Sequence, residues 1–332
     1  YPDALTLAYD ENDLDATWDE SKASFITLAD GSIRFDGAGA GTSATAEGSK
    51  VTITAAGTYV VSGTVSDGQI VVDVEESGLV RLVLNGACVT CSTSAPIYVK
   101  SAEKVILVLA DGTENVVSDG DSYVFDDAES DEPNATIFSK TDLTINGSGS
   151  LMVMANYNDG ITSKDDLKIV SGDITVEAAS DAIKGKDSLG IKEAAITVVA
   201  AGDGLQASND TEADKGFICI SGGVIDITAG ADGVQAATTL LVTAGDLTLV
   251  TGGGSASAAM HTRDFGGTGN TQSTDTSDSD SAKALKADGG VFVDGGTIDV
   301  DSSDDAIHSN NTIQIDGGTL TLASGDDGIH AD

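Results

Sequence analysis

The chain has 332 residues, of which 54 are acidic and 16 are Lys or Arg, so its formal net charge is −38. This charge excludes nucleic acids and anionic membrane surfaces as expected partners, because both would repel the protein. No stretch reaches the about 18 consecutive apolar residues of a membrane span, so membrane insertion is also excluded, and 40% hydrophobic content is enough for a sizeable core.

The composition favours strands over helices. Asp outnumbers Glu by 42 to 12, and the chain has 40 Gly but only three Pro. Asp and Gly are typical of turns, whereas the abundant Val, Ile and Thr are typical of strands. The composition therefore predicts an all-β protein of many short strands joined by turns.

The first residues, 1–31, are predicted to be an extended lead-in and N-terminal cap. The sequence starts at Tyr1 without a Met and without a basic and apolar leader, so we interpret it as a mature or trimmed form. Its high acidity and its three cysteines suit a secreted protein, located outside the cell or at the cell surface.

The next segment, 32–154, is rich in strand-like runs such as VTITAAGTYVVSGTV and APIYVKSAEKVILVLADG, but it has no fixed period. We interpret it as the irregular N-terminal coils of the solenoid that the following segment defines. A separate β-sandwich is the alternative interpretation.

The remaining residues, 155–332, repeat with a period of 22 residues. The motif Asp, then Gly or Ala, then an aliphatic residue occurs at Asp159, Asp181 and Asp203, and again at Asp305 and Asp327. With this Asp as position one, positions three and eleven are aliphatic, position fourteen is Gly or Ala, and positions sixteen and eighteen are paired aliphatics. Residues 254–282 interrupt the frame with a polar run that predicts a loop.

This repeat predicts a parallel β-helix. One unit cannot bury its own apolar face, but stacked units bury a continuous one. Because the repeats show no helical periodicity, the coils of about 22 residues must stack by strand pairing, at about 4.8 Å per coil. Ile169, Ile191, Ile220 and Val242, all at position eleven, are then expected to form one inward column.

Several motifs resemble a family of bacterial surface proteins described as carbohydrate-binding domain-containing. They are YDENDLDATWDES, NYNDGITSKDDLKI and, most specifically, SDDAIHSNNTIQIDGG with SGDDGIHAD. The resemblance implies a right-handed, polysaccharide-lyase-like parallel β-helix that binds calcium and plant cell-wall polysaccharide without an assigned reaction. Similar proteins continue beyond the last motif, whereas this chain stops at Asp332, so we expect either a missing cap or one supplied by another molecule.

The position-one acids are candidates for calcium ligands. Stacked carboxylates lie about 5 Å apart and repel each other by about 1 kcal/mol or more, and Ca²⁺, which takes about six to eight oxygen ligands, would offset this repulsion. The alternative is that each Asp simply suits a turn and faces water. The predicted ligands are Asp159, Asp181, Asp187, Asp203, Asp288, Asp304, Asp305, Asp326 and Asp327.

Position four forms a polar stripe beside these acids and is predicted to contact the glycan. Because aromatic residues make up only 4% of the chain, we expect binding through polar groups and bridging Ca²⁺, which favours acidic glycans such as pectin over cellulose. For the two histidines, a solvated ladder and a transition-metal site are the alternatives. The predicted glycan-binding residues are Tyr157, Lys184, Gln206, Gln235, Lys286, His308 and His330.

Three functions are compatible with these patterns. The first is a non-catalytic, calcium-dependent polysaccharide-binding protein of the cell surface. The second is a structural protein whose open coils stack end to end into filaments. The third is a calcium-dependent polysaccharide lyase, in which Lys184 or Lys286 would act as the base. We favour the first.

Overall fold

The computed structural model describes residues 7–39, 41–125, 127, 129–258 and 281–332. Most of the predicted loop at 254–282 lies outside these described residues, since only 254–258 and 281–282 belong to them. The same holds for the first six residues of the predicted lead-in.

Strands make up most of the described residues. Helix α1 spans Glu11–Leu14 and a 3₁₀ turn spans Ser255–Ser257. No helix in the described ranges has the length and apolar character needed to cross a membrane. The strands are β1 (Ser24–Leu28), β2 (Arg34–Gly37), β3 (Ala44–Glu47), β4 (Lys50–Ile53), β5 (Gly57–Val65), β6 (Gln69–Asp73), β7 (Leu79–Cys91), β8 (Ile97–Ser101), β9 (Lys104–Leu109), β10 (Glu114–Asp119), β11 (Ala135–Ser139), β12 (Leu143–Gly147), β13 (Ser150–Ala155), β14 (Asp159–Ser163), β15 (Asp166–Ile169), β16 (Asp173–Ala178), β17 (Ile183–Gly185), β18 (Ser188–Ile191), β19 (Ala195–Ala200), β20 (Leu205–Ala207), β21 (Phe217–Ala229), β22 (Val234–Ala236), β23 (Thr239–Thr251), β24 (Leu285–Ala287), β25 (Gly290–Val293), β26 (Thr297–Ser302), β27 (Ile307–Ser309), β28 (Ile313–Ile315), β29 (Thr319–Ser324) and β30 (Ile329–Ala331).

The fold is all-β, and its strands pair almost entirely in parallel. Twelve of the described strands form one sheet and eighteen form another. A regular coil supplies one strand to the first sheet and two to the second: β14, β15 and β16 pair in parallel with β17, β18 and β19 of the next coil. The pairs β1–β2 and β3–β4, near the N-terminus, are antiparallel.

The predicted register is confirmed. Ile169 pairs with Ile191, Ile191 with Ile220, and Ile220 with Val242, and all four side chains are fully buried. Stacking like on like in this way fills the core with aliphatic columns, which gives each buried side chain about 1.5–3 kcal/mol of transfer free energy.

Strands on either side of residue 155 pair directly. Strands β11, β12 and β13 are hydrogen-bonded in parallel to β14, β15 and β16. The irregular segment therefore shares both sheets with the regular coils.

Glycine at position fourteen of one coil, Gly223 within β21, accommodates a positive φ and a close approach to the neighbouring coil, whereas Ala194 fills the same position of the preceding coil without a positive φ. Gly223 has φ +93°, and a Cβ there would lie 2.4 Å from the carbonyl oxygen of Ala194 in the preceding coil. A side chain at Gly223 would be strained by the positive φ and would also clash with the neighbouring coil.

The N-terminal segment is held against the larger sheet by one buried carboxylate. Asp13 accepts hydrogen bonds from Lys104 Nζ (2.9 Å), Thr144 Oγ1 (2.7 Å) and Lys168 Nζ (3.1 Å). Burial alone would raise the pKa of Asp13, but these donors outweigh it and lower the pKa to about 2. Contacts with three different strands thus fix the lead-in along the coils.

Two adjacent valines in β19 test this description of the core. Val198 is 1% exposed and faces inward, whereas Val199 is 51% exposed. We expect Val198→Ala to lower the free energy of unfolding by about 2 kcal/mol, and Val199→Ala to change it by less than about 0.5 kcal/mol. Urea unfolding of both variants measures the difference; equal losses would contradict the assigned faces.

Candidate functional site

The position-one acids form a hydrogen-bonded ladder, called here the acid column and defined by Asp159, Asp181, Asp203, Asp232, Asp305 and Asp327. The Oδ1 atom of Asp181 accepts the backbone N–H of Asp203 at 2.9 Å, and that of Asp203 accepts the N–H of Asp232 at 2.9 Å. The same bond joins Asp305 Oδ1 to the N–H of Asp327 at 3.0 Å. Parallel stacking therefore uses one oxygen of each of these acids to satisfy the next coil.

The second oxygen faces the side chain at position four. Lys184 Nζ lies 3.3 Å from Asp181 Oδ2, and Gln206 Nε2 lies 2.6 Å from Asp203 Oδ2. Lys286 Nζ reaches Asp232 Oδ2 of the preceding coil at 3.0 Å. The position-four residues predicted to contact glycan are thus drawn towards the acid column.

Burial and mutual repulsion make two of these acids hard to ionise. Burial, together with the charge of Asp181, raises the pKa of Asp159 to about 6. Burial and the charges of Asp232 and Asp181 raise the pKa of Asp203 to about 7. Asp159 and Asp203 therefore hold their protons near neutral pH more readily than an ordinary carboxyl does.

Three carboxylates converge at the C-terminal end of the acid column. Asp304, Asp305 and Asp326 each offer an oxygen, and these oxygens lie within 4.8 Å of one another. Lys283 Nζ lies 2.6 Å from Asp304 Oδ2. Burial opposes ionisation of Asp304, but this lysine outweighs it and lowers the pKa of that carboxyl. We call Asp304, Asp305 and Asp326 the acid triad.

The other predicted calcium ligands lie elsewhere. Asp288 Oδ1 accepts a hydrogen bond from Asn310 Nδ2 at 3.1 Å. Asp187 lies at a different corner, where it accepts from Asn209 Nδ2 (2.8 Å) and pairs with Lys215 (2.9 Å). Within the described ranges, the acid triad is the one all-carboxylate group of three with oxygens this close together.

Lysines occupy position six in four consecutive coils, a feature that the sequence prediction missed. We call Lys100, Lys140, Lys164 and Lys186 the lysine row. Each of them directly follows a residue that pairs with the neighbouring coil in the twelve-stranded sheet: Val99, Ser139, Ser163 and Gly185. Glu132 is shared by Lys140 (3.0 Å) and Lys164 (2.7 Å), so one carboxylate faces two ammonium groups. Lys100 also pairs with Asp73 at 3.3 Å, so the row sets four lysines against two ion-paired carboxylates and forms a net basic strip.

A groove of about 340 Å³ adjoins this row. Its lining includes Tyr98, Phe125, Lys50, Lys100 and Lys140. The residues that follow β10 fold over the twelve-stranded sheet and form one side of the groove. This places aromatic rings next to cationic groups on a concave surface, which is a common composition for a binding site.

A smaller cavity continues the basic strip. It measures about 210 Å³ and is lined by Asp159, Lys164, Lys184 and Lys186, among others. Lys184 is the predicted glycan-binding residue that the structure places beside the lysine row.

The remaining predicted glycan-binding residues are dispersed. Tyr157 stacks on Tyr123, with ring centroids 4.2 Å apart. Gln235 accepts a hydrogen bond from Gln206 at 2.8 Å. His308 and His330 lie at the far end of the acid column, beside Asp305. The sequence predicted that the position-four residues form a single polar stripe. In the structure, Lys184 lies beside the lysine row, whereas His308 and His330 lie beside Asp305.

The raised pKa of Asp203 predicts a pH-dependent stability. The folded pKa of about 7 lies above the value of about 4 in an unfolded chain, so the stability due to its protonated form is full below about pH 4 and is lost as pH rises through 7. With EDTA present, we expect the unfolding free energy of the wild type relative to Asp203→Asn to fall by about 2 kcal/mol between about pH 5 and pH 8. Urea titrations across this range measure it, with the exposed Asp299→Asn as control; a flat difference for Asp203→Asn would refute the shift.

Comparison with known proteins agrees with the motifs. A family model described as carbohydrate-binding domain-containing protein matches residues 47–328. A carbohydrate-binding domain-containing protein of Acetivibrio thermocellus is 50% identical over 204 residues, which are 61% of this chain and 71% of that protein. The solved structure of a polysaccharide lyase-like protein from C. thermocellum, a gadolinium derivative, has a TM-score of 0.67 and 39% identity, covering 70% of this chain and 92% of that one. The predicted resemblance is confirmed: this chain belongs to the carbohydrate-binding domain-containing protein family.

Proposed function

We propose that this protein is a calcium-binding, non-catalytic polysaccharide-binding protein that acts outside the cell or at its surface and prefers acidic glycans. We further propose that its coils form a right-handed parallel β-helix, since crossover connections between parallel strands of one sheet are right-handed in nearly all proteins. Family membership supports carbohydrate as the ligand class.

The observation that carries the preference for acidic glycans is the lysine row. The chain has only 16 Lys and Arg against 54 acids, yet four lysines are aligned on one face, one per coil. A coil spacing of about 4.8 Å places their ammonium groups in a linear array along the solenoid. Such an array suits the regularly spaced carboxylates of a linear uronate polymer, whereas a neutral glucan offers no charge to it.

The groove also contains aromatic side chains, which are rare in this chain. Tyr98 packs edge to face on the buried Phe138, with centroids 5.8 Å apart, so its ring is held in place. Phe125 lines the same groove. Sugar rings present C–H faces that pack on aromatic rings, and the neighbouring lysines would orient the carboxylates of the same sugars.

Binding without cleavage is favoured by the state of the two lysines considered as bases. Lys184 is engaged by Asp181 at 3.3 Å and Lys286 by Asp232 at 3.0 Å. A lysine that removes a proton must be an uncharged amine, and each of these is ion-paired as an ammonium. The family description, carbohydrate-binding, points the same way, although the solved relative is called polysaccharide lyase-like.

Calcium is proposed at the acid triad. Three carboxylate oxygens within 4.8 Å of one another supply the hard anionic ligands that Ca²⁺ prefers, and water and backbone carbonyls commonly complete its shell. The solved relative was obtained as a gadolinium derivative, and the trivalent gadolinium ion is likewise a hard cation that prefers oxygen. For Asp159, Asp181 and Asp203, whose oxygens are used by backbone N–H groups and position-four side chains, calcium binding stays a prediction.

The glycan proposal is tested by removing two lysines of the row. We expect Lys140→Gln/Lys186→Gln to weaken retention of the protein on polygalacturonate about three- to tenfold, because each lost charge contact contributes roughly 0.5 kcal/mol. Affinity electrophoresis or co-sedimentation, with cellulose in parallel, measures it. The matched control is Lys22→Gln/Lys192→Gln, which removes the same charge from two lysines that also have an acidic neighbour, Asp19 and Glu193.

An equal loss in both double variants would show a general charge effect and not a site at the lysine row. Retention on cellulose that is insensitive to salt and exceeds retention on polygalacturonate would contradict the preference for acidic glycans.

The calcium proposal is tested by thermal unfolding and calorimetric titration. At a free calcium concentration 100-fold above Kd, binding stabilises the folded state by about 2.7 kcal/mol, so Ca²⁺ should raise the Tm of the EDTA-treated protein. We expect Asp304→Asn/Asp326→Asn to remove most of this increase and Asp299→Asn to leave it unchanged. A full calcium-induced increase in the double variant would place the ion elsewhere.

A further inference from the structure

Two histidine rings face one carboxylate oxygen at the end of the acid column. His308 Nδ1 lies 2.9 Å from Asp305 Oδ2, and His330 Nδ1 lies 3.3 Å from the same atom. The two rings are perpendicular, with centroids 5.2 Å apart. One potential ligand atom from each of the three residues lies within 4.8 Å of the other two.

The outer nitrogen of each ring faces an acceptor. His308 Nε2 lies 3.0 Å from Asn310 Oδ1, and the amide of Asn310 is oriented by its donation from Nδ2 to Asp288 Oδ1 at 3.1 Å. His330 Nε2 lies 3.3 Å from Asp332 Oδ1, and a carboxylate can only accept. These acceptors allow each ring to carry its hydrogen on Nε2, and in that form Nδ1 is free to bind a cation.

Three potential metal ligands therefore converge at this point. Each Nδ1 either donates a hydrogen to Asp305 Oδ2 or, in a ring with hydrogen on Nε2, directs a lone pair towards the same space as the carboxylate oxygen. In the second form, a shared metal ion would bind all three atoms and offset the repulsion between them.

The geometry suits a metal ion. Ligands about 2.1 Å from a metal are separated by about 3.0 Å in octahedral and about 3.4 Å in tetrahedral coordination, close to the observed 2.9 and 3.3 Å. Ligating histidines usually donate their other N–H to a carboxylate or carbonyl oxygen, as Asn310 and Asp332 allow here. His330 is 41% exposed, so water has access to the remaining positions.

The two histidines differ from the position-four residues of the other coils. Lys184, Gln206 and Lys286 place N–H donors against the oxygens of the acid column. In the last two described coils a histidine ring takes the place of this donor, with Nδ1 towards Asp305. The acid is unchanged, but its partner is now a side chain that can also bind a metal ion.

We propose that Asp305 Oδ2, His308 Nδ1 and His330 Nδ1 bind a divalent first-row transition metal, with Zn²⁺ as the best-suited ion. Two imidazoles and one carboxylate suit Zn²⁺, Cu²⁺ or Ni²⁺, whereas calcium requires oxygen ligands. This nitrogen-containing site is distinct in chemistry from the acid triad, with which it shares only Asp305, and it goes beyond the proposed function.

The test uses the full chain with His261→Gln as background, which removes the third histidine of the sequence. After EDTA treatment, calorimetry with ZnCl₂ at about pH 7.5 should give one site per chain, and CoCl₂ should produce visible absorption bands. We expect His330→Gln to weaken Zn²⁺ binding at least about tenfold, and Asp304→Asn/Asp326→Asn, which keeps both histidines, to retain Co²⁺ bands. His330 is partly exposed, so its replacement should leave folding intact.

Two results would overturn the proposal. One is Zn²⁺ binding that is as strong in His330→Gln and in His308→Gln as in the His261→Gln background. The other is the absence of Zn²⁺ binding together with NMR tautomer signals that show both rings doubly protonated at about pH 8, which would identify the cation as protons. Neither result bears on calcium binding or on retention by polygalacturonate, so the failure of this proposal and that of the proposed function are distinguishable.

Discussion

In-register stacking of equivalent residues is the constraint on which the rest of this structure depends. From β4 onwards, each strand of the twelve-stranded sheet pairs in parallel with its equivalent in the next coil, so each residue lies about 4.8 Å from the residue at the same position of that coil. For Ile161 and Ile183 this repetition builds the core. For Asp181 and Asp203 it creates repulsion that the fold must offset, and a backbone N–H on one oxygen and a position-four donor on the other provide the compensation.

The same in-register stacking makes the charge of this surface change from the middle coils to the C-terminal coils. Position six carries Lys140, Lys164 and Lys186 in the middle coils but Asp288 and Asn310 near the C-terminal end. Because in-register pairing brings this position to the same face of the twelve-stranded sheet in successive coils, the charge of that face changes from coil to coil. The proposed glycan surface and the proposed metal sites therefore occupy separate lengths of one face, and neither has to compensate the charge of the other.

The repeat frame and the inward columns could be predicted because they are periodic. A 22-residue period determines which residues pair, and the buried column from Ile169 to Val242 follows from it. The lysine row could also have been predicted from the sequence. Lys164 and Lys186 share position six, and extending the 22-residue frame by one irregular coil adds Lys140.

What could not be predicted depends on contacts without a period. The bond between Asp13 and Thr144 joins residues 131 positions apart. The stacking of Tyr123 on Tyr157 brings a loop over the sheet, in a coil where the frame has not yet become regular. No pattern in the sequence specifies either contact, because each depends on where a non-repeating segment finds a complementary surface. The groove next to the lysine row is formed by such a segment, which is why it was missed.

The choice of residue at position four decides what each part of the acid column can do. Where Lys or Gln stands there, as at Lys184 and Gln206, a donor on the second oxygen of the acid offsets part of the repulsion between neighbouring acids. In the last two described coils the acid is doubled, by Asp304 and Asp326, while the partner becomes a histidine. Negative charge thus increases where the built-in donors decrease. Lys283 offsets part of the excess at Asp304. The negative charge that Lys283 does not offset is the physical reason to place bound metal ions at this end of the acid column. The anionic polymer is instead placed at the lysine row.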